Sequence, residues 1–221
     1  MSTVLDPTTA GTIDTLADLL DRLGGIPLNR VRMRPAPGTA TEDDVLFVGD
    51  HEDRLCELVD GVLVEKAYGF RGSLLAAALG AILRGFAIPR NLGLVAGADG
   101  ALRLMPGLVR IPDVSYLSWE RIPGGKVPSE AIPPISPDLA VEVLSASNTK
   151  REMARKRREY FASGTRLVWE VDPESWTVSV YDAPERFQML SETDTLDGGD
   201  LLPGFSLRLA DLFGELDQAH G

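Results

Sequence analysis

The segment DLAVEVL, residues 138–144, most constrains what this chain can fold into. It is of strand length and almost continuously apolar, the pattern of a strand covered on both faces rather than on one. A strand covered on both faces needs further layers above and below it. Elements of both kinds can be read around it. A helix is expected from about Asn148 to Ser163, stopped at Gly164, and the next strand, TRLVWEVDP, ends at Asp172-Pro173. Further upstream, RLCELVDGVLVEK reads as two short strands joined by Asp60-Gly61, a pair suited to a tight hairpin. RGSLLAAALGAILRGF switches to helical spacing. LGLVAGADGALRLM reads as a second hairpin turning at Asp99-Gly100, and VRIPDVSYL as one β-rich run. WTVSVYD and RFQML extend a meander, and LPGFSLRLADLFGEL closes the chain with a strand and a helix. The expected fold class is α/β (α+β), a mixed sheet flanked by helices.

Ahead of this core, Ile13, Leu16, Leu19, Leu20 and Leu23 have helical spacing, Arg30 to Arg34 alternates like a strand, and Thr41-Glu42-Asp43-Asp44 is a helix start. Residues 1–45 are therefore expected to be an extension docked on a domain spanning 46–216, with 217–221 a tail. A length of 221 residues suits one domain with a small extension.

Within the apolar strand, Glu142 is out of place, because an unpaired buried carboxylate costs several kcal/mol. Asp113 repeats the anomaly between Ile111 and Val114, beside Pro112, which marks a strand start, bulge or edge. Each could face solvent or pair with an arginine. Two in successive strands point instead to a shared site. Glu57 lies in the first hairpin, where a lone glutamate would ordinarily face outward. Three carboxylates without a histidine or cysteine cluster define an all-oxygen site suited to magnesium or manganese rather than zinc. His51 and His220 are expected to be exposed, Cys56 to fill a small space in the core, and Glu170 and Asp172 to be structural, Glu170 facing outward.

On the helix after the acidic strand, Met153, Tyr160 and Phe161 mark the apolar face, and Lys156 borders it. Its ammonium could reach water by snorkelling or point into the site. Lys150, Arg151, Arg155, Lys156, Arg157 and Arg158 place six cations in nine positions. That run is either a solvated face or a local attractor for phosphate. The chain otherwise carries a net charge of −11, which opposes long-range capture of nucleic acid. A single cysteine excludes an internal disulfide, and the first twenty residues lack the pattern of a secretory signal, so a cytoplasmic location is expected. The longest apolar stretch, LLAAALGAIL, is far short of the roughly 20 residues of a membrane span.

Taken together, CELVDGVLVEK, VRIPDVSYL, SPDLAVEVLSASN, EMARKRREYFASGTRLVWEVDP and DTLDGGDLLPGFSLRLADLF, in this order, resemble the Uma family of restriction-endonuclease-like proteins in the PD-(D/E)XK nuclease superfamily. The resemblance runs from about Leu55 to Phe213 and implies a restriction-endonuclease core, with the first 45 residues an extension found in a subset of the family. Glu57, Asp113 and Glu142 match the family's acidic positions. Leu144 stands where the superfamily's lysine is usual, and Lys156 matches the lysine that this family takes from the next helix. Arg71 and Arg157 depart from the family's usual histidine and aliphatic residue.

The resemblance implies catalytic roles for Glu57, Asp113, Glu142 and Lys156, with Mg2+ or Mn2+ on Asp113, Glu142 and the backbone carbonyl of Val143. Lys150, Arg151, Arg155, Arg157 and Arg158 would contact nucleic acid, with DNA the expected substrate and a homodimer the expected assembly. The rival reading is a module on the same fold that binds nucleic acid or protein without cleaving.

Overall fold

The computed structural model describes residues 14–67 and 69–217. Ile13 and His220 lie outside them. A six-stranded sheet, a four-stranded sheet and a two-stranded ribbon carry the architecture, with helices between and around them.

The large sheet is built from β3 (Gly93–Ala96), β6 (Val114–Ser118), β7 (Leu139–Val143), β8 (Leu167–Asp172), β9 (Thr177–Ala183) and β10 (Arg186–Ser191), in the order β10-β9-β8-β7-β6-β3. Its β7/β8 pair is parallel. Parallel neighbours need a crossover, supplied here by α4 (Lys150–Ala162). As the apolar run requires, β7 is covered on both faces. Leu139 and Val141 join the core formed with α3 (Phe70–Ala87) and α5 (Leu209–Phe213), while Ala140 joins Tyr160 of α4 on the other side.

The small sheet has the order β2-β1-β5-β4, from β1 (Cys56–Val59), β2 (Val62–Glu65), β4 (Leu102–Met105) and β5 (Leu108–Arg110). Cys56 and Leu58 pack with Val45 and Val48 of α2 (Glu42–Glu52), on one face of β1. Glu57 and Val59 alternate to the other face, where Val59 joins the core shared with Tyr160 and Val168. Glu57 is thereby directed between the sheets. The ribbon of β11 (Thr195–Gly198) and β12 (Leu202–Arg208) packs Leu196, Leu202 and Phe205 against the α3 side of the large sheet.

Three expectations are corrected. Residues 92–105 do not form a hairpin: β3 pairs with β6, while β4 pairs with β5. The Pro106-Gly107 turn, with Gly107 at φ +74°, is the tight reversal that captures β4. VRIPDVSYL is not one strand but two, β5 and β6, in different sheets, because Pro112 has no N–H to donate to a ladder. Arg30 to Arg34 is not a strand. A 3₁₀ turn over Leu28–Arg30 leads to a single bridge, Val31 to Val64, and Pro27 and Pro35 confine the pairing to that point.

The helix over Leu16–Arg22 (α1) begins at a Thr15–Asp18 capping box, and α2 begins at the expected Thr41–Asp44 box. By length and composition α3 could cross a bilayer. Its Leu75, Leu79 and Leu83 are fully buried in the α3 core, and Arg71 and Arg84 are exposed, the pattern of a core helix.

Candidate active site

Glu57, Glu142 and Lys156 meet in the interior, each delivered by a different element. Thr149 caps α4 through a hydrogen bond from the Glu152 amide. Lys156 then falls on the buried face, one turn before Tyr160. Its ammonium lies 3.1 Å from Glu57 Oε1 and donates to both oxygens of Glu142, at 3.1 and 3.0 Å. Tyr160 donates its hydroxyl to Glu142 Oε1 at 2.7 Å. On the far side, Arg110 donates to Glu57 Oε2 at 2.6 Å and also grips Glu159. The Ile111 amide adds a bond to Glu57 Oε1 at 3.2 Å. All of these side chains but that of Glu159 are nearly inaccessible to water. Lys156 is a bridge between two carboxylates, not a snorkelling lysine.

The electrostatics divide the acids by role. Burial penalises the Glu57 anion, but Lys156 and then Arg110 outweigh it and hold the carboxyl at about 2. For Glu142, burial prevails over the nearby Lys156, and Glu57 and Asp113 add to it, so the carboxyl is raised. Burial opposes the Lys156 charge too, yet Glu142 and then Glu57 keep it above the ordinary lysine range.

Asp113 sits where the chain leaves the small sheet for the large one. The Val114–Val141 register of the β6/β7 pair brings it to the same end as Glu142, and its amide donates to the Val141 carbonyl at 2.9 Å. Its Oδ2 accepts the Val143 amide at 2.6 Å, and its Oδ1 faces Lys66 Nζ at 2.9 Å. Asp113 and Val143 line a cleft of about 1500 Å³, with Leu144 and Ser145 beside them, Lys66 and Ala98 across, and Gly72, Ala76 and Gly80 of α3 forming a wall of small residues. Glu57, Glu142 and Lys156 are not among the cleft-lining residues, whereas Asp113, whose charge acts on Glu142, is.

The predicted phosphate contacts are placed elsewhere. Arg151 pairs with Asp21 at 2.6 Å; Arg155 holds Asp60 at 2.8 Å, Glu159 at 2.7 Å and the Arg22 carbonyl at 2.7 Å. Arg157 binds Glu170 at 2.6 Å and stacks 4.3 Å over Tyr181; Arg158 is 3.7 Å from Glu185; Lys150 is exposed in the first turn. None of the five lines the cleft. A run of cations in sequence spreads around a helix, and the four arginines each meet an acid on their own face. Glu170, expected to face outward, is buried against Arg157 instead. Asp172 caps its turn through the Glu174 amide at 2.9 Å, Cys56 is buried, and His51 is exposed.

Sequence reasoning missed Arg110, Tyr160 and Lys66. Arg110 is as anomalous in LVRIP as Asp113 and carried the same signal. The ring of Tyr160 puts it on the apolar face by spacing, and nothing in the sequence marks its hydroxyl. Lys66 follows Glu65 at a strand end, where nothing in the pattern distinguishes it.

A family model described as Uma2, putative restriction endonuclease, matches residues 42–210. The chain belongs to the Uma2 family. A solved structure of similar fold is that of a putative nuclease belonging to DUF820 from Anabaena variabilis, at 20% identity and a TM-score of 0.66, covering 74% of this chain and 92% of that one. No functionally curated protein matches the chain. Membership in Uma2 supports a nuclease, and with it a nucleic-acid substrate.

Asp113 and Glu142 offer the oxygen donors that a hard divalent cation takes. Two carboxylates reach the same end of the β6/β7 pair, and Glu142 is an anion that burial and its acidic neighbours disfavour. Among the described residues no set of three acidic, histidine or cysteine side chains forms a complete cage. Magnesium needs none, since it keeps several waters and takes one or two carboxylates together with substrate phosphate.

Proposed function

We propose that this Uma2 protein is a metal-dependent endonuclease that hydrolyses phosphodiester bonds, with DNA as its substrate. The observation that carries the reading is the buried Glu57–Lys156–Glu142 bridge set beside Asp113 at the edge of a cleft. Asp113, Glu142 and the Val143 carbonyl would hold Mg2+ or Mn2+. The ion would supply Lewis-acid polarisation of the phosphodiester and a more acidic water.

Lys156 remains protonated, so it acts as a hydrogen-bond donor and not as a base. Because it does not line the cleft, its fixed positive charge would favour negative charge developing on the phosphoryl oxygens through the field it adds at the site and not by touching them. Glu57 takes a narrower part than sequence suggested. With its oxygens held by Arg110, Lys156 and the Ile111 amide, and its carboxyl at about 2, it does not take a proton near neutrality. It positions Lys156. Tyr160 fixes one oxygen of Glu142 in the same way. We also propose a homodimer. The outer edge strand β10, with Phe187 and Met189 exposed, is the surface that supports it.

The test is cleavage of a panel of duplex and single-stranded DNA and RNA with and without Mg2+, comparing the parent with Glu142→Ala and Lys156→Met. Cleavage is expected only with the ion and is abolished in Glu142→Ala. Lys156→Met keeps the stem and should fall by roughly a hundredfold or more. Parent-like cleavage by either variant overturns the assignment, and binding without cleavage by the parent assigns the chain to the rival, non-cleaving class. Light scattering at high micromolar concentration reads the assembly, and a monomer there removes the dimer.

A further inference from the structure

On the cleft side of the site, a second lysine occupies the oxygen that a cation would need. Asp113 Oδ2 is committed to the Val143 amide at 2.6 Å, a backbone partner fixed by the strand. The other oxygen, Oδ1, lies 2.9 Å from Lys66 Nζ, whose further partner is the Ala98 carbonyl at 2.9 Å. Both oxygens of Glu142 are engaged from the interior by Lys156, one of them also by Tyr160. The one carboxylate oxygen of the pair that is neither tied to backbone nor gripped from the interior is therefore the one Lys66 holds.

The two lysines are not held alike. Lys156 is locked by two buried carboxylates, whereas Lys66 has one carboxylate and one loop carbonyl and lines the cleft. Lys66 is the cheaper of the two to displace. A divalent ion and an ammonium cannot share one carboxylate oxygen without strong repulsion, and the four-carbon lysine stem can swing its charge away. The cleft is open to it. Arg54, Arg71 and Arg84 also line the cleft, but the ion pair to Asp113 is made by Lys66, while Arg54 is tied to Glu65 at 2.8 Å and Arg71 donates to the Pro173 carbonyl at 3.5 Å.

We infer that Lys66 is a built-in competitor for the cation seat at Asp113 and that, once displaced, its ammonium contacts phosphate of the bound nucleic acid. The inference rests on the metal-dependent reading above. It describes a site that is charge-compensated when empty of metal and that gains a phosphate-binding cation only when loaded.

Two measurements on the full chain test it, neither reading turnover. The first is calorimetric titration with Mn2+ in the absence of nucleic acid. Lys66→Met and Lys66→Gln should each bind Mn2+ roughly three- to tenfold more tightly than the parent, as expected for removal of one competing cation. Lys66→Arg, which keeps the charge, should bind like the parent. The second is anisotropy of a labelled oligonucleotide. Without divalent ions the neutral variants should bind it as the parent does. With calcium they should bind roughly threefold or more weakly, as expected for a lost phosphate contact. Thermal unfolding in chelator checks that each variant folds, and agreement between the Met and Gln variants separates the charge from the side chain's shape. Equal or weaker Mn2+ binding by both neutral variants overturns the inference and leaves the nuclease reading standing. A loss of oligonucleotide affinity already present without divalent ions also overturns it. Mn2+ binding to none of the proteins overturns both readings.

Discussion

Glu57 and Glu142 share one lysine, yet they respond to pH in opposite senses. Glu57 is held at about 2, below its ordinary value of 4.5, so its ion pairs contribute stability that is complete above about 4.5 and is lost as pH falls towards 2. The displacement corresponds to roughly 3 kcal/mol. Glu142 is raised, so its anion is a cost that acid relieves. Chemical unfolding as a function of pH should therefore show the parent losing stability between about pH 4.5 and 2, with Glu57→Gln less stable at neutral pH by about 3 kcal/mol and flatter across that window. An equally steep acid limb in the variant would show that other carboxylates govern it. These two residues also show what sequence discloses at this scale. Glu142 and Asp113 could be singled out because a charge in an apolar strand must be explained. Which cation explains it could not be read. Arg110 meets Glu57, 53 positions away, through the β1/β5 pairing, and Lys156, on the helix 14 positions after Glu142, meets Glu57 only because the two sheets face one another.

Elements were legible where a local signal closes on itself. The Asp60-Gly61 hairpin, the β7–α4–β8 unit and the β8–β9–β10 meander follow from turn residues and periodicity over neighbouring segments. Failures came where a local signal competed with a distant partner. Asp99-Gly100 looked sufficient for a hairpin, but Gly93–Ala96 pairs with β6 and Leu102–Met105 with β5, on different sheets. The acids outside α4 that its arginines meet come from α1, the first hairpin and the meander, which no local signal in the helix announces. That gives the helix a structural duty that can be measured. Arg155 joins three elements through Asp60, Glu159 and the Arg22 carbonyl, with its side chain 18% exposed. Arg155→Ala should cost roughly 1–3 kcal/mol, several degrees in Tm for a chain of this size, while oligonucleotide affinity stays within about twofold of the parent. Weakened binding at unchanged Tm would return Arg155 to the phosphate-contacting role expected from sequence.

At the scale of the whole molecule, the family match begins at residue 42, yet the structure does not let the preceding segment go. Leu19, Leu23 and Ile26 are buried in the same core as Tyr160 and Val168, the core that backs α4. Arg30 reaches the N-terminus of α4 and pairs with Glu152 through two bonds, at 3.0 and 2.7 Å, with both side chains buried. Thr149, the cap of that helix, donates to the Gly24 carbonyl at 2.6 Å. The approach is so close that a Cβ on Gly24 would lie 2.7 Å from the Glu152 amide nitrogen. Residues 14–35 thus hold the end of the helix that carries Lys156. Removing residues 1–35 uncovers three large apolar side chains' worth of core, each about 1.5–3 kcal/mol. It also leaves Glu152 buried without its cation, at roughly 3–5 kcal/mol. Together these rival the 5–15 kcal/mol that holds a typical domain folded. The truncated chain should lose its cooperative thermal transition. Arg30→Met, which removes the cation and keeps the apolar segment, should remain folded but less stable by roughly 3–5 kcal/mol. If the truncated chain instead melts cooperatively at the parent's temperature, the segment is an appendage and the fold begins where the family match does.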